Sequence, residues 1–111
     1  MLVKNRRLTT SLLKNVFASG KSIFGQEISL VYIKRQDTNP TRFAFSVSSK
    51  AVKTAVMRNR IRRVGYTSLS SFLSEVKPSF DVVFIVKKPL DLTIFDLKSS
   101  LVSLLKKTSI I

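Results

Sequence analysis

The sequence predicts an α+β fold, a two-layer α–β sandwich with helices packed on a four-stranded sheet, in the order α-β-β-β-α-β-α. Three observations carry that reading. Apolar residues switch between helical and strand periods along the chain, no repeat or Pro/Gly/Ser-rich linker divides it, and 111 residues are enough for one modest core. The whole chain, 1–111, therefore reads as one domain.

Each element has a local reason. Leu12, Leu13, Val16 and Phe17 recur at three and four residues, Thr9 or Thr10 can cap the free amides before them, and Gly20 supplies a stop. The short KSIF at 21–24 is either an edge strand or a lead-in. EISLVYIK at 27–34 then alternates, with Ile28, Leu30 and Tyr32 on one face and Val31 and Ile33 on the other. RQDTNPT is a turn cluster, and RFAFSVS after it sets Phe43, Phe45 and Val47 against smaller residues as a half-buried strand. A long helix is predicted from about Val52 to Val76, ended by Pro78. FDVVFIV at 80–86 is a nearly continuous apolar run, the pattern of a strand buried on both faces. After the loop KKPLDLT, Thr93 and Asp96 resemble a capping box. The closing helix, Ile94 to about Lys107, aligns Ile94, Leu97, Leu101, Leu104 and Leu105, with Lys106 and Lys107 where the dipole favours cations.

Charge and missing residue types narrow the function. Twenty Lys and Arg against six Asp and Glu leave +14, and a surface so one-sided usually meets a phosphate-bearing partner. With no Cys and no His, disulfides, thiolate or zinc sites, a Cys nucleophile and a Ser-His triad are excluded. Ser46, Ser48 and Ser49 have no histidine to activate them, and the six acids form no obvious pair, so no catalytic residue is assigned. Any chemistry is expected in a partner. No signal peptide or membrane span is read, so the expectation is a cytoplasmic protein with no membrane partner.

The densest feature is AVMRNRIRRVG at 55–65. At about 100° per residue, Met57, Ile61, Val64, Ser68 and Phe72 share the arc expected to face the sheet. Arg58 and Arg62 then flank it on one side, Arg60 and Arg63 on the other, and Asn59 points away. The bland alternative is a solvated face laced by i,i+4 ion pairs. No acid lies between Asp37 and Glu75, so the helix itself offers none. Six of the twenty basic residues fall between Lys50 and Arg63, and arginine's planar fork suits phosphate and base stacking. Duplex DNA and folded RNA are equally compatible. A second set, Phe17, Tyr32, Phe43 and Phe45, is interleaved with Lys14, Lys34, Arg35 and Arg42. Such rings can stack unpaired bases, although core packing is the better reading for Phe43 and Phe45.

NRRL near the start, VFASG, the block FAFSVSSKAVKTAVMRNRIRR and the late FDVVFIVKKP occur together, in this order and spacing, in one family. With Arg58-Asn59-Arg60 as the most specific piece, the chain resembles the protein subunit of bacterial ribonuclease P nearly end to end. The resemblance implies a sandwich with a left-handed βαβ crossover, like the second domain of a small-subunit ribosomal protein. It implies a protein that does not cut RNA but binds a catalytic RNA, one protein per RNA. The complex then removes the 5′ leader of precursor tRNA with Mg²⁺ held mainly by RNA. Carried over, Arg58, Asn59, Arg60, Arg62, Arg63, Lys50 and Lys53 would contact the RNA subunit. Phe17, Tyr32, Phe45, Lys14 and Leu13 would line a cleft between the first helix and the sheet for the single-stranded leader. No metal-binding position is assigned. The chain departs from the family pattern at Leu13, at Ser49-Lys50 and at Val64-Gly65-Tyr66, where Gly65 costs about 1 kcal/mol against Ala in a helix interior. Two rival classes are a ribosomal RNA-binding protein of similar fold and a metal-dependent nuclease using an acid such as Asp81.

Overall fold

The computed structural model describes residues 6–93 and 95–111. Its elements follow the predicted order: α1 (Thr10–Ser19), β1 (Lys21–Ile23), β2 (Ile28–Lys34), β3 (Arg42–Val47), α2 (Ala55–Ser70), β4 (Phe80–Val86) and α3 (Leu97–Lys107). The sheet runs β1-β2-β4-β3, with β4 antiparallel to β2 and parallel to β3. KSIF is thus an edge strand through Ile23, pairing with Leu30. Helix α2 is the crossover that parallel neighbours require.

The period of two splits the sheet into two unlike faces. Ile28 and Leu30 of β2, Phe43, Phe45 and Val47 of β3, and Val82, Phe84 and Val86 of β4 enter one core, completed by Ile61 and Leu69 of α2 and by Leu97, Leu101, Leu104 and Leu105 of α3. This is the two-layer body. Helix α1 crosses the other face, where Val16 packs on Val31, Ala44 and Val83 in a smaller cluster. Strand β4 is covered on both faces, as its unbroken apolar run requires. The outer edge of β3 is covered in part by the segment before α1, since Leu8 N–H donates to Phe43 C=O at 2.9 Å.

Helix boundaries follow the caps. Thr9 caps α1 by accepting from Leu12 N–H. Helix α2 begins at Ala55 rather than Val52: Thr54 accepts from Met57 N–H, and Val52 is buried in the main core. It ends at Ser70 rather than Val76. Ser68, Ser70 and Ser71 turn their hydroxyls onto the Val64, Tyr66 and Ser68 carbonyls, and a 3-10 turn at Leu73–Glu75 follows. The closing helix starts at Leu97 with Asp96 as its cap, accepting from Ser99 N–H at 3.1 Å. Thr93 caps nothing there; it donates to Asp91 in the preceding loop. The Ile94 position expected on the α3 stripe lies outside the described residues.

Gly65 acquires a reason in this packing. A Cβ there would stand 2.4–2.8 Å from three carbons of the Phe45 ring. The ring lies 5.2 Å from Phe84 and meets Tyr66 edge-on at 5.1 Å. The helix gives up about 1 kcal/mol of propensity and gains close approach to an aromatic cluster.

Candidate nucleic-acid interface

The buried line of α2 is Ile61, Gly65 and Leu69, with Met57, Val64 and Ser68 only partly covered. The helix is therefore rotated from the expected arc toward Arg58 and Arg62. That rotation sorts the four arginines. Arg58 is partly buried, and its Nη1 donates to the Val52 and Lys53 carbonyls at 2.8 and 3.2 Å, holding the loop before the helix. Arg62 donates to Asn59 Oδ1 at 3.1 Å. Arg60 and Arg63 stand exposed. Among the described residues the salt bridges join Arg35 to Asp37 and Asp81, and Arg42 to Asp81; none reaches α2. The ion-paired alternative for this face has no support in the geometry.

Lys50 and Lys53 lie in the loop held by Arg58, and they share a cleft of about 510 Å³ with Lys87 and Lys88 from the end of β4. No carboxylate lines it. The two lysines after β4, in FIVKKP, carry no local signal of a surface. They line one cleft with Lys50 and Lys53 because β3 and β4 run parallel and end together, Val47 beside Val86. One acid does approach the arginine face. The Asp91 carboxyl is held below its ordinary value, first by hydrogen bonds from Thr93 and then, more weakly, by the charge of Arg60.

The expected leader residues separate. Phe17 and Lys14 are exposed on α1, and Leu13 is partly buried in the cluster beneath it. Tyr32 does not join them. It shares a face with Leu30, packs into the α2/α3 side and lies 6.1 Å from Phe80. Phe45 is 6% exposed inside the main core. The strand period carries both rings to the face opposite α1, so the placement expected for Tyr32 and Phe45 is corrected.

Four of the six acids are held by partners within the fold. Asp81, its side chain 3% exposed, receives both Arg42 Nε and Nη2 at 2.8 Å, with Arg35 on the same carboxylate. Asp37 is held below the ordinary carboxylate range by hydrogen bonds from Arg35, and Asp96 by those from Ser99 in the α3 cap. Among the described residues no three acids cluster as a metal cage. Asp81 is an anchor for two arginines, which removes it as the metal-binding acid of a nuclease.

Fold and site together define a small basic α–β sandwich whose longest helix presents arginines with no salt bridge among the described residues, beside a lysine-lined cleft. The model of the Ribonuclease P family matches residues 2–109. The ribonuclease P protein component of Clostridioides difficile (strain 630) is 34% identical over 99 residues, 87% of this chain and 85% of that protein. That of Bacillus cereus (strain AH187) is 30% identical over 109 residues, 97% of this chain and 94% of its own length. In shape, the Staphylococcus aureus RNase P protein matches with a TM-score of 0.82 at 21% identity, covering 96% of this chain and 98% of that one. The Thermotoga maritima RNase P protein matches at 0.78 and 23%, covering 91% and 96%. The chain belongs to the ribonuclease P protein family, the protein component of a tRNA-processing endoribonuclease holoenzyme. No helix among the described residues is long and apolar enough to cross a membrane.

Proposed function

We propose that this chain binds the catalytic RNA of ribonuclease P through α2 and the 5′ leader of precursor tRNA through α1, assisting removal of the leader. The observation that carries the reading is the exposed Arg60–Arg63 face, which no salt bridge reaches among the described residues, on a chain of this family. Arg60 and Arg63 are the phosphate contacts. Asn59 and Arg62 act as a hydrogen-bonded pair beside them, and Lys50 and Lys53 extend the surface. Arg58 contributes by fixing the loop that carries those lysines.

Phe17, with Lys14 next to it, is the leader contact on α1, where a half-exposed ring beside a cation suits an unpaired base. Hydrolysis belongs to the RNA. Mg²⁺ would supply charge neutralisation among RNA phosphates; of this chain's acids, Asp37, Asp81, Asp91 and Asp96 are engaged by arginines or by loop and cap hydrogen bonds. The partners are therefore the RNA subunit, one protein per RNA, and precursor tRNA, met in the cytoplasm.

The test is cleavage of precursor tRNA at about physiological Mg²⁺, with a bacterial ribonuclease P RNA alone, the protein alone and both together. Activity gained only in the mixture is the expected outcome. No gain over RNA alone would sink the reading, and co-sedimentation with ribosomes would then favour the ribosomal alternative.

A further inference from the structure

The structure leaves one large aromatic on the surface that the reading above does not use. Phe24, at the end of β1, is 78% exposed, more than Phe17 at 45%. Its position is set by the turn into β2: Gly25 N–H donates to the Ser29 hydroxyl, and Lys87 N–H donates to the Glu27 carbonyl at 3.0 Å. This brings Lys87 beside the ring, its Nζ 5.9 Å from the centroid. A cation over one aromatic face leaves the other face for a planar partner.

A lone exposed phenylalanine needs no explanation. The surroundings of this one do. Lys87 and Lys88 follow the ring at the end of β4, and the cleft that they line, whose far side carries the RNA-subunit lysines Lys50 and Lys53, has no carboxylate. An aromatic platform at the end of a cationic track is the chemistry that holds single-stranded nucleic acid: phosphates follow the charges, and a base stacks on the ring. Duplex contacts would leave the ring idle.

Alternation along β4 decides which strand is meant. Val83 and Ile85 face α1, and Lys87, just past β4, extends the ladder by one residue through its N–H to the Glu27 carbonyl, which puts it at that side's rim, where the cleft begins. Phe24 and Lys87 thus border the face that carries α1 and Phe17, whereas the α2 helix packs on the other. We propose that Phe24, with Lys87 over one face of its ring, stacks an unpaired base of the precursor's 5′ leader. The assignment rests on the leader-binding reading above.

The experiment uses the reconstituted holoenzyme with Phe24→Ala and Phe24→Tyr. Affinity is measured for precursor tRNA with a full leader, for precursor with the leader cut to one nucleotide, and for mature tRNA. Loss of one stacked base is expected to weaken Phe24→Ala binding of the full-leader precursor by about tenfold. Mature tRNA and the trimmed precursor should be unaffected, and Phe24→Tyr, which keeps the ring, should bind like the parent. Equal loss for precursor and mature tRNA overturns the proposal, as does unchanged affinity for all three. Loss of affinity for the RNA subunit instead would mean that the ring rests on the ribozyme. If the parent protein itself failed to favour precursor over mature tRNA, the leader-binding reading would fall, and this inference with it.

Discussion

Arg35 and Arg42 at one end of the sheet, and Arg60 and Arg63 on α2, are the same residue in opposite circumstances. The first pair converges on Asp81, whose carboxylate is almost wholly buried. Arg35 also donates to the Phe80, Asn39 and Pro40 carbonyls, tying the turn after β2 to the entry of β4. The second pair makes no salt bridge among the described residues and lies in solvent, with Asp91 the one acid near Arg60. Arginines satisfied by the fold hold it together, and those it leaves unsatisfied are free for a phosphate. In so basic a chain this accounting, rather than the count of charges, separates structure from interface.

The comparison can be broken most strongly at its buried end. Asp81→Ala leaves two guanidiniums facing a carboxylate that is gone, and removal of one partner of a buried pair costs about 3–5 kcal/mol. Chemical denaturation should show that loss; a change under about 1 kcal/mol would mean that the network is ornamental.

Gly65→Ala comes next. Helix propensity alone favours Ala by about 1 kcal/mol, yet the new methyl collides with the Phe45 ring. A net loss of about 1–3 kcal/mol is expected from overpacking, with recovery when Phe45→Leu is added. A stabilised single variant would refute the close-approach argument.

At the exposed end, Arg60→Ala with Arg63→Ala should leave stability within about 0.5 kcal/mol. The same double variant should flatten the salt dependence of RNA-subunit binding by about one to two in the log–log slope. Arg58→Ala should differ by lowering thermal stability as well, because the Val52 and Lys53 carbonyls lose their donor. Identical behaviour of the two variants would erase the distinction between Arg58 and its neighbours.

The smallest effect is in pH. Asp37 is depressed by its hydrogen bonds from Arg35. A carboxyl depressed in the folded state stabilises fully above its unfolded value, about 3.9, and the contribution is lost as pH falls through the folded value. Stability should therefore be level from pH 7 to about 5 and decline below about 4, with Asp37→Asn shallower on that acid limb.

Much of this was legible in the sequence because it is local. The strand run 80–86, the alternation of β2 and β3 and the helical repeats appear where they were read, since each follows from a period of a few residues. So does the arginine cluster without a nearby acid. The parity of Tyr32 was legible too, as it shares a face with Ile28 and Leu30. What alternation could not say is which of two faces α1 would cover, and the core chose the face of Val31 and Val83. Helix ends were misplaced where serines, Thr54 and Asp96 compete for backbone groups.

By itself, then, the sequence determined the elements, their order, the +14 charge and the absence of histidine and cysteine chemistry. The tertiary structure decided which arginines are consumed, why residue 65 is glycine, and that lysines from two loops share one cleft. Periodicity and capping act over a few residues, whereas pairing a charge, clearing a ring and merging two strand ends depend on segments tens of residues apart.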